Sequence, residues 1–320
     1  MDQLKTLALV GGVLLLLAAA TTVVHVLRRR VDGALNTAIL DTLAHRMRAW
    51  WLLWTVLAAA FFIGATATVT LFGLISFWAL REFITLTPTR PGDHRALFWV
   101  FVLCTPLQFV LVGMGRYDLY SVLIPVYAFL LIPARIAFSG DSKRFLERTA
   151  KIQSGLLVCV YCFSYAPALL NLPGSPGEYS GNARLLFFFV LMVQLSDALQ
   201  YAWAQIPSKH VIVPMVNPTR TWEGLLGGAA SVTLLGAILS WATPFPPLLA
   251  GVMSLVIALM GFGGAMTMSA IKRDRGVKDY GTLVEGHGGV LDRIDSICFA
   301  APVFYHLTRM WVEHLNKTAG

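Results

Sequence analysis

Long apolar runs separated by short charged segments constrain this chain most strongly. The run from Trp51 to Leu80 contains no charged residue. As one α-helix rising about 1.5 Å per residue it would be about 45 Å long, whereas the hydrocarbon core of a bilayer is about 30 Å thick. We therefore predict two short spans with a break near residues 64–68, or one bent helix.

The composition supports a membrane protein of many spans. The chain is 57% hydrophobic and 13% charged, whereas soluble domains are usually about 25% charged. We predict an all-α, polytopic integral membrane bundle of nine or ten transmembrane helices, without internal repeats or a soluble domain. The predicted spans are residues 4–27, 51–80, 96–114, 119–138, 152–170, 183–205, 224–242, 247–268 and 297–315.

We attribute the net charge of +8 mainly to basic cytoplasmic loops, and we predict no nucleic-acid partner. Loops rich in Lys and Arg face the cytoplasm and anionic lipid. The basic loop 139–151 is therefore predicted to be cytoplasmic, whereas 171–182 and 243–246, which carry almost no charge, are predicted to be external. Alternation then places residues 206–223 and 269–295 in the cytoplasm.

The segment between the first two predicted spans is amphipathic. Apolar residues recur every four positions from Leu35 to Met47, and Trp50 and Trp51 follow. This spacing predicts a helix near residues 31–50 that lies along the lipid headgroups. A contact between two copies of the chain, giving a homodimer, is the alternative interpretation.

Two other features are predicted to carry no chemistry. The four cysteines lie in apolar runs, so the Cys159-x-x-Cys162 spacing is interpreted as packing rather than as a redox or zinc site. Arg81 and Glu82 end an apolar run, and we expect both to be solvated at the membrane interface.

A polar stretch, residues 269–295, interrupts the apolar runs near the C-terminus. It contains five cations, Lys272, Arg273, Arg275, Lys278 and Arg293, and the carboxylates Asp274, Asp279, Asp292 and Asp295. His287 lies between Gly286 and Gly288-Gly289. Cations suit phosphates, carboxylates suit a hard divalent metal, and glycines allow close backbone approach. The combination predicts a site for nucleotide phosphates with Mg²⁺, and we expect Asp274 and Arg275 to be solvated.

A second polar group lies in the predicted span 183–205. Gln194, Asp197, Tyr201 and Gln205 are three or four residues apart and share one helix face. Because a carboxylate in hydrocarbon costs about 2.5 to 3.5 kcal/mol, we expect Asp197 to face a cavity or a charged partner. An ion pair with a buried Arg or Lys is the structural alternative to a functional role.

The loop after this span reads Asn217-Pro218-Thr219-Arg220-Thr221-Trp222-Glu223-Gly224. Asn217-Pro218 is predicted to stop the preceding chain, and Thr219 or Thr221 to cap the next helix. The amides of such a helix start suit an anion. Capping alone is the alternative role for these residues.

Residues 269–295 resemble the signature of the phosphatidate cytidylyltransferases, also called CDP-diacylglycerol synthases. That signature reads Ser-x-x-Lys-Arg, then Lys-Asp, then His-Gly-Gly-x-x-Asp-Arg-x-Asp. The matching residues are Ser269, Lys272, Arg273, Lys278, Asp279, His287, Gly288, Gly289, Asp292, Arg293 and Asp295. Upstream, Asp197 and residues 217–224 resemble the family's intramembrane Asp and its following Ser-Pro and Thr-Trp-Glu-Gly segment, with Asn217 in place of Ser.

The resemblance implies an enzyme that joins CTP and phosphatidate into CDP-diacylglycerol and pyrophosphate with Mg²⁺, within membrane lipid. It implies N-terminal spans in 1–182 and a catalytic region in 183–320, in a bacterial inner membrane with the site facing the cytoplasm. The implied metal ligands are Asp197, Asp279, Asp292 and Asp295. The implied catalytic residues are Asp292, Asp279, Lys272, Arg273 and Arg293. The implied substrate-binding residues are Ser269, Lys278, His287, Gly288, Gly289, Thr219, Arg220 and Thr221.

Two departures from the family pattern keep other functions open. Glu285 stands where the family has Pro or Gly, and Gly264-Ala265 stands where it has Gly-Asp with a metal-binding carboxylate. Glu285 is a candidate replacement carboxylate. The main alternative is a non-catalytic or substrate-shifted paralogue that binds CTP or lipid phosphate. A transporter or a CTP-using lipid kinase are further alternatives.

Overall fold

The computed structural model describes residues 2–30, 51, 54–86, 88–172, 179–206, 210–281 and 288–319. Over these ranges the chain is mostly helical, which confirms the predicted all-α class. The predicted headgroup helix at 31–50, with its alternative of a homodimer contact, lies outside the described residues. Glu285, Gly286 and His287 also lie outside them.

Ten helices follow one another along the described residues. They are α1 Asp2–Arg30, α2 Trp54–Ile63, α3 Ala65–Thr85, α4 Pro91–Gly113, α5 Tyr117–Ala137, α6 Phe145–Asn171, α7 Tyr179–Trp203, α8 Trp222–Ala242, α9 Pro247–Asp274 and α10 Leu291–Ala319. Among the described residues, α3 to α9 give seven helices long and apolar enough to cross a membrane. The predicted nine or ten spans also included α1 and α2, which hold shorter apolar stretches, and the less apolar α10.

The predicted break in the uncharged run is confirmed at Gly64. Helix α2 ends at Ile63 and α3 begins at Ala65. Between them Gly64 has a φ of +130°, a conformation that glycine adopts readily because it has no Cβ. Gly64 therefore divides the run, which as one helix would be longer than the bilayer core is thick.

The chain divides into two compact units, Met1–Thr68 and Val69–Gly320. In the first, the indole N–H of Trp51 donates to Thr21 Oγ1 on α1 over 3.0 Å. In the second, α7 packs against α8, α8 against α9, and α9 against α10. Its interior is rich in aromatic contacts, such as the stacked rings of Phe189 and Phe304 with centroids 5.1 Å apart. The four cysteines lie unpaired within helices, as predicted.

A short hairpin between α7 and α8 adds the strands β1 Val211–Val213 and β2 Asn217–Thr221. They are antiparallel, with Val213 opposite Asn217. These strands were not predicted from the sequence. The hairpin lies against the end of α9, because Asn217 Nδ2 donates to Ser269 Oγ over 3.1 Å. The hairpin and the polar stretch are thereby brought to the same end of this unit.

Candidate functional site

An ion pair joins the two ends of the polar stretch. Lys272 lies on the last turns of α9 and Asp292 on the first turn of α10. Lys272 Nζ is 2.7 Å from Asp292 Oδ1, and the two side chains are only 15% and 8% exposed. The other carboxylate oxygen of Asp292 accepts from the backbone N–H groups of Tyr280 and Gly289 at 2.8 and 2.9 Å. Asp292 is therefore fixed in position, with a cation as its partner.

Gly288 brings a second carboxylate next to Asp292. Its φ is +80°, in the left-handed region that favours glycine. A Cβ at this position would lie 2.7 Å from Asp292 Oδ2 and 3.3 Å from Asp279 Oδ1. The space left by the missing side chain is thus bordered by the carboxylates of Asp279 and Asp292.

A second charged group forms between α7 and the hairpin. Arg220 Nη2 lies 3.1 Å from Asp197 Oδ1, with the two side chains 19% and 31% exposed. Arg220 Nη1 donates to Gln200 Oε1 over 2.7 Å, and Gln200 Nε2 donates to Ser196 Oγ over 2.8 Å. The ion pair considered for Asp197 is therefore present, and its partner is the basic residue of the predicted site loop.

Gln200 is a part of this group that the sequence analysis missed. It is 2% exposed and, together with Asp197, holds the Arg220 guanidinium. Its only signal in the sequence is its place three residues after Asp197, where the family has small residues. Tyr201 and Gln205, which were predicted to share one helix face with Asp197, are exposed.

Asp295 interacts electrostatically with residues of both charged groups. It lies two residues before the predicted span that begins at position 297, and its Oδ1 accepts from the N–H of Ser296 at 2.7 Å. Desolvation raises the pKa of the Asp295 carboxyl to about 7, and the Asp197 carboxylate adds to the increase. Arg220 and Lys272 act in the opposite direction. The charges of Asp197, Arg220 and Lys272 therefore all act on the Asp295 carboxyl.

The hairpin residues have local roles that the structure specifies. Thr221 is the N-cap of α8, since its Oγ1 accepts from the N–H of Gly224 at 3.1 Å, which confirms one of the two predicted caps. Thr219 instead donates through its N–H and its hydroxyl to Asn217 Oδ1. Asn217 therefore links Thr219 on the hairpin to Ser269 on α9.

The remaining predicted residues are more peripheral. Arg273 is exposed and donates through Nε to the carbonyl of Val216 over 3.3 Å. Lys278 is exposed, and Arg293 is half-buried on the first turn of α10. Asp274 is 67% exposed and pairs with Arg275. The solvated position predicted for Asp274 is confirmed, whereas Arg275 is only 22% exposed.

The prediction that Glu82 is solvated at the membrane interface is wrong. Glu82 is 5% exposed. Its two carboxylate oxygens accept from the N–H groups of Val290 and Leu291 at the start of α10, at 3.0 and 2.9 Å. The backbone donors at a helix start need acceptors, and this long-range contact supplies them. Glu82 therefore joins the residues that build the site.

The donor chemistry of these residues fits Mg²⁺. Among the described residues, no three His, Cys, Asp or Glu side chains form a ready-made metal-binding group. The carboxylates of Asp279 and Asp292 instead border one space at Gly288, and those of Asp197 and Asp295 interact electrostatically. Mg²⁺ is usually bound by one or two carboxylates, with waters and substrate phosphates completing its shell. A pair is therefore a sufficient protein contribution, and the Mg²⁺ assignment stays a prediction.

Comparisons with known proteins identify the family of this chain. The sequence model of the cytidylyltransferase family matches residues 44–311. The chain is 37% identical over 265 residues to the uncharacterized protein YnbB of Escherichia coli, covering 82% of this chain and 86% of YnbB. It is 28% identical over 254 residues to the phosphatidate cytidylyltransferase of Bacillus subtilis, covering 78% and 88% of the two chains. The protein belongs to the cytidylyltransferase family, and it is an integral membrane member of that family.

Proposed function

We propose that this protein transfers the cytidylyl group of CTP to phosphatidate and releases pyrophosphate, which gives CDP-diacylglycerol for phospholipid synthesis. The observation that carries the proposal is the arrangement of Lys272, Asp292 and Asp279 around Gly288. It combines a shielded cation with two carboxylates at the end of a membrane bundle. The similarity to the Bacillus subtilis phosphatidate cytidylyltransferase supports the same reaction.

The reaction needs no nucleophile from the protein. An oxygen of the lipid phosphate attacks the α-phosphorus of CTP, and the bond from that phosphorus to the oxygen of the leaving pyrophosphate breaks. The task of the chain is to hold two anions together and to stabilise the charge that develops on the leaving group. Lys272 and Arg220 are the cations best fixed for this task, since each is held by a carboxylate.

Mg²⁺, when bound, supplies positive charge to the phosphates and reduces the charge on the leaving pyrophosphate. Asp279 and Asp292 would hold it, with Asp197 and Asp295 as the second candidate pair. Arg273, Lys278, Arg293 and the buried Ser269 would contact the substrate phosphates. His287 and Gly289 belong to the same proposed substrate site.

The proposed setting is the inner membrane of a bacterium, with the site on the cytoplasmic face, where CTP is available. The hairpin, the end of α9 and the start of α10 share one end of the second unit. The loops 206–223 and 269–295 were assigned to the cytoplasm by alternation from the basic loop 139–151 and the nearly uncharged loops 171–182 and 243–246. We propose that residues 183–320 form the catalytic region and that 1–182 contribute supporting spans.

A binding paralogue is the second candidate function, because of Ala265. This residue is 3% exposed on α9, where the family pattern implies a metal-binding Asp. A methyl group offers no metal ligand. Such a paralogue would bind CTP or lipid phosphate without turnover.

Labelled CTP distinguishes the candidates. The purified protein is incubated with phosphatidate, Mg²⁺ and CTP carrying ³²P at either the α or the γ position. Cytidylyl transfer puts the α label into lipid and the γ label into pyrophosphate. Lipid labelled from the γ position would show a kinase instead. Binding of CTP without label in any product would contradict the proposal and favour the paralogue.

A further inference from the structure

We propose that Glu82 on α3 is a positioning residue, which fixes the start of α10 and through it the orientation of Asp292. Its effect on turnover rests on the proposed function, whereas its effect on α10 does not. No pattern in the polar stretch points to Glu82, which lies more than 200 positions earlier in the chain.

The first support is the geometry of the Glu82 carboxylate. It is buried, and each of its oxygens accepts one backbone N–H, from Val290 at 3.0 Å and from Leu291 at 2.9 Å. The first turn of a helix has N–H groups without intrahelical acceptors and carries partial positive charge. An ionised carboxylate accepts from these N–H groups and is attracted by the partial positive charge. Hydrogen bonds to charged groups are also stronger than those between neutral groups.

The second support is the shape of the backbone around this carboxylate. A Cβ on Gly281 would lie 2.7 Å from Glu82 Oε1. A Cβ on Gly289 would collide with Glu82 Oε2. The chain therefore passes closely over Glu82 at both positions, and the absence of side chains there is what permits the approach.

These contacts reach Asp292 through consecutive amides. Gly289 donates to Asp292 Oδ2, and the next two residues, Val290 and Leu291, donate to Glu82. Two carboxylates thus occupy three successive N–H groups of the turn. A shift of this turn would move the donor that orients Asp292, and with it the contact to Lys272.

The same contacts bear on which groups bind phosphate. A glycine-rich turn before a helix often offers its amides to an anion. Here the amides of Gly289, Val290 and Leu291 already have carboxylate acceptors. These three amides are therefore not available to a substrate phosphate, and Lys272 is a side-chain cation held beside Asp292.

The test compares Glu82→Gln with Ser76→Ala. The glutamine is nearly isosteric and keeps one acceptor oxygen, so one of the two amides loses its partner. Ser76 is a buried residue of the same helix that donates to the carbonyl of Cys159 at 2.8 Å, so its variant controls for loss of a buried hydrogen bond on α3. If Glu82→Gln does not fold, Glu82→Asp, which keeps both oxygens on a shorter side chain, takes its place.

Two readouts are taken on the full-length protein. Hydrogen exchange of peptides covering residues 288–292 should be roughly 5- to 30-fold faster in Glu82→Gln and unchanged in Ser76→Ala, as expected for loss of a helix cap. The kcat for CTP with phosphatidate should fall roughly 10- to 100-fold through misplacement of Asp292. The KM for CTP should change much less, because Glu82 touches no substrate.

Each outcome decides one question. Unchanged exchange in Glu82→Gln overturns the inference, and so does faster exchange with unchanged kcat, which would make Glu82 a support of the fold alone. If the wild-type protein has no turnover, the proposed function is wrong. The exchange comparison then decides whether Glu82 fixes the start of α10, with faster exchange upholding this part of the inference and equal exchange overturning it.

Discussion

Lys272 on α9 and Asp292 on α10 form an ion pair with 2.7 Å between Nζ and Oδ1. The pair bridges the segment that separates the two helices, and both side chains are largely shielded from solvent. Removing one partner of such a pair leaves an uncompensated charge. The position of Asp292 therefore depends on Lys272, and a phosphate bound beside Asp292 would share the same cation.

Lys272→Met should lower kcat/KM for CTP roughly 100-fold or more, because the phosphates lose a fixed cation and Asp292 loses its partner. Steady-state release of pyrophosphate measures this. Lys143→Met removes an exposed cation from the loop between α5 and α6 and should leave kcat/KM within about twofold of wild type by the usual small effect of surface substitutions. Equal effects of the two variants would contradict the role of Lys272.

Gln200→Leu should raise the KM for CTP or phosphatidate roughly tenfold. It removes the Gln200 oxygen that accepts from Arg220 Nη1, and hydrogen bonds to charged groups contribute about 1.5–3 kcal/mol. Gln205→Leu is the matched control, since Gln205 is exposed in the turn that follows the same helix and its side-chain amide donates to the carbonyl of Tyr201. A KM for Gln200→Leu no higher than that of the control would show that Arg220 does not need this partner.

Gly288→Ala should abolish most turnover, whereas Gly276→Ala should be tolerated. Both glycines have positive φ, +80° and +68°, so each alanine has a conformational cost of about 1–2 kcal/mol. At Gly288 the new Cβ would lie 2.7 Å from Asp292 Oδ2 and 3.3 Å from Asp279 Oδ1, whereas at Gly276 no atom of the described residues lies within 4 Å of it. Turnover and melting temperature are measured for both. Similar turnover in the two variants would mean that the space beside Asp292 is not needed.

Ala265→Asp should lower the melting temperature in EDTA, because a carboxylate is introduced at a buried position. If this position adjoins the metal site, as the family pattern implies, Mg²⁺ should restore part of the loss. Ala258→Asp introduces the same carboxylate at a fully buried position on the same helix, seven residues away. Its melting temperature should not respond to Mg²⁺. An equal response of the two variants would remove position 265 from the metal site.

Local pattern in the sequence was enough to predict the helices. The run lengths located the seven long apolar helices of the described residues, and the excess length of residues 51–80 predicted the break near Gly64. The cap at Thr221 is one of the two positions, Thr219 and Thr221, that were predicted for it from the sequence. The hairpin was missed because β1 has only three residues, which is too short for a periodic signal.

Long-range partners could not be predicted in the same way. Glu82 follows an apolar run, and a charged residue at that place is typical of a solvated helix end. Its burial depends on backbone donors 208 and 209 positions later in the chain, which no local pattern encodes. Gln200 stood out only as a departure from the family, and its role depends on the fold that brings Arg220 to it.

The most direct test of the central claim is the rate of pyrophosphate release by the purified protein, measured with and without phosphatidate in the presence of CTP and Mg²⁺. Asp292→Asn is measured beside it, because this change keeps the shape of the side chain and removes its charge. The account predicts release that requires phosphatidate, with equal amounts of CDP-lipid, and a loss of at least roughly 100-fold in Asp292→Asn. Wild-type protein that binds CTP but releases no pyrophosphate, or an Asp292→Asn variant as active as wild type, would contradict it.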